Sequence, residues 1–218
     1  VTGSVGKTGT KEMLRAVLQR QGRVHASAAS YNNHWGVPLT LTRMPRETEY
    51  GVFEVGMNHP GEIAYLARIA RPTVAVVTNA QRAHLAGMGT LETIATEKGS
   101  VFMGLSKPGV AIINADDRWA DLWRVQGGGR EIMDFSFERE ASVTGRCSTH
   151  GLDNRLHISA QGREIEVSLA VPGAHNARNA LAAAAAALAG LIRCTMPPLP
   201  MRPLKLRLVV EADRKSVV

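Results

Sequence analysis

The feature that most constrains the fold is the glycine-rich motif T-G-S-V-G-K-T at residues 2–8. Because glycine carries no Cβ atom, consecutive backbone N–H groups can turn inward around phosphate oxygens at the N-terminus of a helix. The lysine of the motif would then contact the β- and γ-phosphates, and the threonine hydroxyl would contact a Mg²⁺ ion. The motif therefore predicts a phosphate-binding loop formed by Gly3, Ser4, Val5, Gly6, Lys7 and Thr8.

A phosphate-binding loop of this kind lies between a strand and a helix. Apolar residues recur with helical spacing between Thr10 and Gln21, and Gly22 follows as a stop signal. No strand precedes the loop in the sequence, and the first residue is Val1 and not Met. Val1 also stands where the longer Walker pattern has a glycine. We therefore expect a fragment of a longer protein that lacks the first strand of its domain.

Short apolar runs alternate with helical segments through the middle of the chain. The runs at 50–55, 73–78 and 110–114 are continuously apolar, as in strands that are buried on both faces of a parallel sheet. Helical patterns lie between them, near residues 60–70 and 91–105. This alternation predicts an α/β fold, a three-layer P-loop-type domain with a mostly parallel central sheet. Ligands should bind at the carboxyl ends of its strands.

The pattern changes in the last third of the sequence. Alternating apolar residues around Gln161-Gly162, within 131–171, predict an antiparallel hairpin at the edge of the sheet. An alanine-rich helix is predicted over 176–192. The proline-rich stretch that follows cannot continue a helix, so we predict that residues 196–218 are a disordered tail that is not native to the protein.

Composition argues against several classes of protein. The formal net charge of +7 suits a protein that binds anionic nucleotides, but no basic run is interleaved with aromatic residues as in nucleic-acid binders. Cys147 and Cys194 lie far apart, so the sequence predicts neither a disulfide scaffold nor a zinc site. The apolar run at 180–192 is shorter than the ~20 residues that span a bilayer. We expect a cytoplasmic monomer that binds neither nucleic acid nor membranes.

Two charged residues interrupt apolar segments. Glu54 lies in an apolar strand, where a buried carboxylate needs a compensating cation. Beside a phosphate loop that cation would be Mg²⁺, and the alternative is a structural pair with a surface arginine. Lys98 lies between Ile94 and Phe102 on the apolar face of its predicted helix. A desolvated lysine reacts with CO₂ to form a carbamate that can bind metal, whereas an ordinary one extends its charge to solvent.

Three further polar residues lie near the predicted ligand edge. His84 follows the strand at 73–78, and it is either a surface residue or a metal ligand that acts with Glu54 and Lys98. Asn176 opens the last predicted helix and could cap it. Asn179 lies too far inside that helix to cap it, and its amide has the donor and acceptor that would match an adenine edge.

Six sequence motifs, which occur in the family's order, resemble those of the central domain of the Mur ligase family. The resemblance runs from residue 1 to about residue 195 and is closest to the family member that adds D-alanyl-D-alanine to UDP-N-acetylmuramoyl-tripeptide. The motifs lie at residues 2–8, 31–41, 53–63, 77–85, 94–99 and 173–183.

The resemblance implies an ATP-dependent amide ligase of peptidoglycan precursor synthesis, with UDP-N-acetylmuramoyl-tripeptide and D-alanyl-D-alanine as substrates of the full-length protein. It also implies two Mg²⁺ sites and an acyl phosphate intermediate. The implied functional residues are Lys7, His84 and Lys98 in catalysis, Thr8 and Glu54 at one Mg²⁺, His84 and carbamylated Lys98 at the second, and Asn176 and Asn179 near adenine.

The sequence departs from the family pattern at two positions and leaves other functions open. Ala86 and Ser100 stand where family members usually carry acidic residues. The family's N-terminal and C-terminal domains do not lie in this sequence, so we expect the chain to be inactive alone. The alternatives are a sister Mur ligase, a folylpolyglutamate synthase, or a P-loop module that binds ATP without catalysis. A further alternative, a basic protein that binds nucleic acid, is supported only by the net charge.

Overall fold

The computed structural model describes residues 1–83, 85–150, 153–171, 173–193 and 206–208. The strands are β1 (Val24–Ala26), β2 (Tyr50–Val52), β3 (Val74–Val77), β4 (Val110–Asn114), β5 (Glu131–Ser136), β6 (Val143–His150), β7 (Asp153–Ala160), β8 (Arg163–Leu169) and β9 (Leu206–Leu208). The helices are α1 (Lys7–Leu18), α2 (Gly36–Thr42), α3 (Glu62–Ala70), α4 (Leu85–Met88), α5 (Leu91–Gly99), α6 (Ala120–Gly127) and α7 (Ala174–Arg193), and a 3₁₀ turn (Ser100–Gly104) follows α5.

Among the described residues, seven strands form one sheet in the order β3-β4-β5-β6-β7-β8-β9. Strands β3 to β6 run parallel to their neighbours, β7 is antiparallel to β6 and β8, and β9 is parallel to β8. Strands β1 and β2 form a second, parallel sheet. Val1 and Thr2 connect the two sheets, because Val1 bonds to Phe53 and Val55 while Thr2 forms a parallel bridge with Val77.

Helices cover both faces of the main sheet. On one face, α1 and α7 bury Met13 and Leu181 against strand residues that include Ile112. On the other face, α3, α5 and α6 pack over a core that includes Ile63 and Ile113. Adjacent residues of β4 thus belong to opposite cores, as expected for a strand that is buried on both sides. The predicted three-layer α/β fold with a mostly parallel sheet is confirmed.

The predicted hairpin is confirmed as β7 and β8. Ala160 pairs with Arg163, so the connection has two residues, and both have positive φ: 51° at Gln161 and 72° at Gly162. This geometry is the type I′ turn that matches the twist of antiparallel strands. Residues 131–136, at the start of the segment whose pattern changes, form β5. This strand pairs in parallel with β4 and β6 and therefore lies inside the sheet.

The tail contributes one described element. Leu206–Leu208 pairs with β8 as β9, so these three residues differ from the predicted disorder, and the rest of 196–218 lies outside the described residues. In the part of the chain that the structure describes, no helix combines the length and the apolar character needed to cross a bilayer.

Candidate functional site

The phosphate loop connects Thr2, at the sheet, to the first turn of α1. Gly6 precedes the helix with a φ of 82°, a left-handed conformation that favours glycine. A Cβ atom at Gly6 would overlap the amide oxygen of Asn179, and one at Gly9 would lie 2.7 Å from the amide nitrogen of Asn179. The close approach of Asn179 in α7 to the loop therefore requires glycine at both positions.

The end of β3 fixes the shape of the loop from the other side. The side-chain oxygen of Asn79 accepts a hydrogen bond from the N–H of Val5 at 3.0 Å, and the Thr78 hydroxyl donates to the Val5 carbonyl at 3.0 Å. The N–H of Gln81 donates to the Ser4 hydroxyl at 2.9 Å. Because these bonds come from the protein itself, the loop has a defined shape before any ligand binds.

The side chain of Lys7 folds back over the loop. Its Nζ donates hydrogen bonds to the carbonyls of Gly3, at 2.9 Å, and Ser4, at 3.4 Å. Burial lowers the pKa of Lys7, and the negative charge of Glu54 partly offsets that shift. An anionic ligand at the loop would therefore meet a cation that has lost much of its hydration.

The structure brings Thr8 and Glu54 into direct contact, although they lie far apart in the sequence. The Thr8 hydroxyl donates to Glu54 Oε2 at 2.8 Å, and the Asn32 amide donates to Glu54 Oε1 at 2.7 Å. Glu54 is 1% exposed and follows β2 closely in the chain, at the carboxyl end of that strand. Sequence analysis assigned no role to Asn32, and a signal was available because Asn32 lies in one of the six family motifs.

The oxygen atoms at this point fit a magnesium ion. In the described part of the chain, no three His, Cys, Asp or Glu side chains are grouped as a metal site. Mg²⁺ beside a nucleotide needs fewer protein ligands, since phosphate oxygens and water supply the others. The Thr8 hydroxyl and the Glu54 carboxylate, 2.8 Å apart beside the phosphate loop, provide such a set.

Lys98 lies in the last turn of α5 and is 1% exposed. Burial and the positive charge of Lys7 together lower its pKa to about 7, and the negative charge of Glu97 opposes the shift. The charge of Lys7, in the phosphate loop, therefore acts on the amine of Lys98. A large fraction of the amine is therefore neutral near pH 7, and the neutral amine is the nucleophilic form.

Glu97 connects the helix of Lys98 to the segment that follows Glu54. Its Oε1 accepts a hydrogen bond from the backbone N–H of Ile63, in the first turn of α3, at 2.9 Å. Glu97 is 8% exposed, so this bond is buried and fixes α5 relative to α3. Sequence analysis missed this role, because the contact joins two helices and leaves no periodic signal.

The structure thus brings Lys7, Thr8 and Glu54 together at the phosphate loop, and the positive charge of Lys7 acts on the buried amine of Lys98. His84 lies outside the described residues, and its predicted role as a metal ligand stays a prediction.

A polar cavity of about 240 Å³ opens beside the loop. It is lined by Thr78 and Asn114 at the ends of β3 and β4, by Asp117, and by Arg178 and Asn179 of α7. Burial raises the pKa of Asp117, although two backbone N–H donors and a nearby arginine oppose the shift. The cavity lies where the ligands of parallel α/β sheets bind, past the carboxyl ends of the strands.

The two asparagines of α7 have different surroundings. Asn179 is 8% exposed, lines this cavity and contacts the phosphate loop. Asn176 is partly buried in the first turn of α7, and its N–H donates to the Gly173 carbonyl at 3.0 Å. A larger cavity of about 350 Å³ lies over β6 to β8 and is lined by none of the predicted site residues.

Comparisons with known proteins identify a single family. Residues 1–187 match the family model of the Mur ligase middle domain. The UDP-N-acetylmuramoyl-tripeptide--D-alanyl-D-alanine ligase of Escherichia coli is 39% identical over 189 residues, which are 82% of this chain and 40% of that protein. The ligase of the same name from Haemophilus influenzae is 38% identical over 183 residues, again 82% of this chain and 40% of the relative. The chain spans about two fifths of the length of these relatives.

Solved structures agree with the sequence relatives. A crystal structure of MurF from Acinetobacter baumannii has a TM-score of 0.82 and 34% identity, and the match covers 86% of this chain and 41% of that one. MurF from Thermotoga maritima in complex with ADP has a TM-score of 0.76 and 29% identity, over 84% of this chain and 43% of that one. The apo form of L. casei FPGS, at 18% identity and a TM-score of 0.70 over 90% of this chain and 58% of that one, shares the fold.

Proposed function

This chain belongs to the Mur ligase family, and we propose that it forms the ATP-binding core of a ligase that joins D-alanyl-D-alanine to UDP-N-acetylmuramoyl-tripeptide. A carboxylate of the tripeptide takes the γ-phosphoryl group of ATP, which leaves ADP and an acyl phosphate. The amine of the dipeptide then displaces phosphate and forms the amide bond. The names of the relatives support these substrates, and the ADP complex of the Thermotoga relative supports the nucleotide.

The observation that carries the proposal is the contact between Thr8 and Glu54, 2.8 Å long, beside a glycine-rich loop and Lys7. A hydroxyl and a buried carboxylate at the N-terminus of α1 are the two protein ligands that a nucleotide-bound Mg²⁺ needs. When bound there, Mg²⁺ would neutralise charge on the phosphates. The loop N–H groups and Lys7 would hold the β- and γ-phosphates from the other side and stabilise the charge on the transferring group.

Lys7 must change its contacts when the nucleotide binds. Its present acceptors are the carbonyls of Gly3 and Ser4, which are neutral. Phosphate oxygens are stronger acceptors, since hydrogen bonds between charged groups are about twice as strong as neutral ones. The lysine would exchange its loop carbonyls for phosphate oxygens, and its charge would then be compensated.

We assign a second cation site to His84 and carbamylated Lys98. The neutral amine of Lys98 attacks the carbon of CO₂, a C–N bond forms, and the amine releases one proton to give a carbamate anion. The lowered pKa of about 7 favours this reaction, because only the neutral amine has a free electron pair. Carbamate formation would convert a buried amine into an anionic oxygen ligand.

We assign the nucleoside to the polar cavity that Asn179 of α7 lines, with Asn176 nearby in the first turn of the same helix. The chain would bind nucleotide by itself but would ligate only within a longer protein, because it covers about two fifths of its relatives. We place that protein in the cytoplasm, as a monomer that acts without nucleic acid or a membrane.

The decisive test is binding of ADP to this chain by isothermal titration calorimetry, with Mg²⁺ and with EDTA. Lys7→Ala should weaken ADP binding by about 1.5–3 kcal/mol, or roughly 10- to 100-fold, because a charged hydrogen-bond donor to the phosphates is lost. Lys107→Ala removes an exposed lysine and is the matched control. Equal affinity for the wild-type chain and Lys7→Ala would refute the assignment of the loop.

The identity of the amine substrate is tested in the complete protein that contains this chain. We expect ATP-dependent product formation with D-alanyl-D-alanine and none with single amino acids. Turnover with a single amino acid would instead identify a sister ligase. A ¹³C NMR signal from a lysine carbamate in ¹³C-bicarbonate, absent in Lys98→Met, would support the second site.

A further inference from the structure

Lys11 is the one described lysine that is wholly buried, at 0% exposure, and phosphate chemistry gives it no role. It lies in α1, one helical turn after Lys7. Lysine is almost never fully buried unless its charge is paired, since removing an ammonium group from water is costly. A buried cation so close to the phosphate loop therefore needs a structural or functional reason.

The surroundings of Lys11 match the three donors of an ammonium group. Its Nζ donates to the carbonyl oxygens of Ser27 and Ala29, both at 2.7 Å, and forms an ion pair with Glu12 Oε1 at 3.0 Å. An ammonium group has three N–H donors, so each one has an acceptor. The two carbonyls belong to the segment after β1, which makes Lys11 the point where α1 holds that segment.

This segment adopts a conformation that the lysine contact stabilises. Ala29 has a φ of 44°, in the left-handed region that residues with a Cβ atom seldom adopt. The left-handed turn aims the Ala29 carbonyl at the ammonium group of Lys11. Because Ala29 itself is exposed, packing of its side chain does not explain the conformation.

The same segment leads directly to the carboxylate of Glu54. The Ser27 hydroxyl accepts a hydrogen bond from the Glu54 N–H at 3.2 Å, and the Asn32 amide donates to Glu54 Oε1 at 2.7 Å. The Asn32 carbonyl also accepts from the N–H of Gly56 at 2.8 Å. The backbone and side chain of Glu54 are thus both oriented by residues 27–32, whose start is held by Lys11.

We propose that Lys11 is a positioning residue for the metal-binding carboxylate. It fixes the turn at Ser27–Ala29 against α1, and the fixed turn holds Asn32 where it orients Glu54 toward Thr8. This inference rests on the proposed function, because that function makes Thr8 and Glu54 the ligands of Mg²⁺. Lys11 touches neither phosphate nor metal in this scheme and acts only through the segment 27–32.

The test measures how much Mg²⁺ strengthens ADP binding to this chain, as the ratio of the affinities with Mg²⁺ and with EDTA. Lys11→Met keeps the length and the apolar stem of the side chain but removes the donor to the Ser27 and Ala29 carbonyls, while Glu12 keeps its pair with Arg15. We expect the ratio to fall about 10-fold or more, as for other residues that support metal ligands indirectly. ADP affinity in EDTA should stay unchanged, because the phosphate loop is intact.

Two variants on the exposed side of the turn keep the test valid if Lys11→Met fails to fold. Ala29→Pro cannot adopt a positive φ and so turns the carbonyl away from Lys11, whereas Ala29→Gly adopts it easily. We expect Ala29→Pro to lower the Mg²⁺ ratio as Lys11→Met does, and Ala29→Gly to keep it. A wild-type ratio in a folded Lys11→Met or Ala29→Pro protein would overturn the proposal.

A double-mutant cycle distinguishes positioning from general stability. Asn32→Ala should lower the ratio by itself, and adding Lys11→Met to it should have little further effect, since both act on Glu54 through the same segment. Additive losses would show that Lys11 does not act through Asn32. If Mg²⁺ does not strengthen ADP binding even in the wild-type chain, the proposed function fails first, and this outcome is distinct from failure in the variants alone.

Discussion

The region around Glu54 and the region around Lys98 both bury an ionisable side chain to 1% exposure, but they surround it with different groups. Around Glu54, Thr8 and Asn32 each donate a hydrogen bond to the carboxylate, at 2.8 and 2.7 Å. Around Lys98, burial and the positive charge of Lys7 both disfavour the ammonium form, and they lower its pKa to about 7. The first region holds a carboxylate with two hydrogen-bond donors, and the second favours a neutral amine.

This difference indicates that Glu54 and Lys98 would bind a metal ion in two different ways. The Glu54 region holds the proposed metal ligand in place, because hydrogen bonds fix both carboxylate oxygens. The Lys98 region holds an amine that, in the proposed function, would become a ligand only after its conversion to a carbamate. We therefore expect that removing the charge from Glu54 abolishes the proposed Mg²⁺ site. Changes near Lys98 should act through the protonation of its amine.

The largest effect is expected from Glu54→Gln. The substitution removes the negative charge and places an amide NH₂ group opposite one of two hydrogen-bond donors. The Mg²⁺-dependent gain in ADP affinity should disappear. Turnover of the complete protein should fall about 10²- to 10³-fold, the range for losing one preorganised electrostatic contact. Glu47→Gln makes the same change of charge at an exposed position and should have no effect. An unchanged dependence on Mg²⁺ in Glu54→Gln would show that the two regions do not differ in this way.

A smaller effect is expected on the pH dependence of folding, measured in CO₂-free buffer. The pKa of Lys98 is about 7 in the folded protein, below its ordinary value of 10.5. Between these values, the unfolded chain holds a proton that the folded chain has released, so stability rises with pH across this window. Below pH 7 both states carry the proton, and the cost of the buried charge is present in full.

Urea unfolding of the wild-type chain and of Lys98→Met at several pH values measures this contribution. The stability of the wild type relative to Lys98→Met should rise between pH 7 and pH 10, by up to about 1.4 kcal/mol per pH unit. Lys107→Met replaces an exposed lysine and should show no such slope. A difference between wild type and Lys98→Met that stays constant with pH would mean that the amine is not desolvated.

Features that depend on local sequence were predictable in this molecule. Glycines at positions of positive φ identified the phosphate loop and the hairpin turn, since few other residues adopt that conformation. Continuous apolar runs identified β3 and β4, which are buried on both faces. Lys98 was recognisable because a lysine interrupted the apolar face of a helix.

Features that depend on tertiary contacts were not predictable from pattern. Asn32, Lys11 and Glu97 act through partners that are distant in sequence, and a polar residue shows no sign of the acceptor it will meet. The parallel pairing of β5 with β4 was not predicted either, because strand pairing depends on residues that are distant in sequence. The pattern does indicate that Lys11 is buried, because Leu14 and Leu18 follow it on the same helix face, but it does not indicate which acceptors Lys11 meets.

The smallest effect, and the sharpest test of the comparison, is expected from Glu97→Gln. The glutamine amide oxygen can still accept the hydrogen bond from the Ile63 N–H, so α5 and α3 keep their contact while one negative charge is lost. That charge raises the pKa of Lys98 against the larger effect of burial, so its removal should lower the pKa below the wild-type value.

The pKa is measured by NMR, from a pH titration of the lysine side-chain ε-carbon signals in Glu97→Gln and in the wild type. The Lys98 signal is identified as the one that is missing from the spectrum of Lys98→Met. The shift should be smaller than the one that burial causes, because burial is the larger contribution. Glu92→Gln changes the same charge on the exposed face of α5 and serves as the matched control. A pKa that rises in Glu97→Gln, or that falls equally in Glu92→Gln, would mean that nearby charges do not control the protonation of Lys98. Burial alone would then account for the contrast with Glu54.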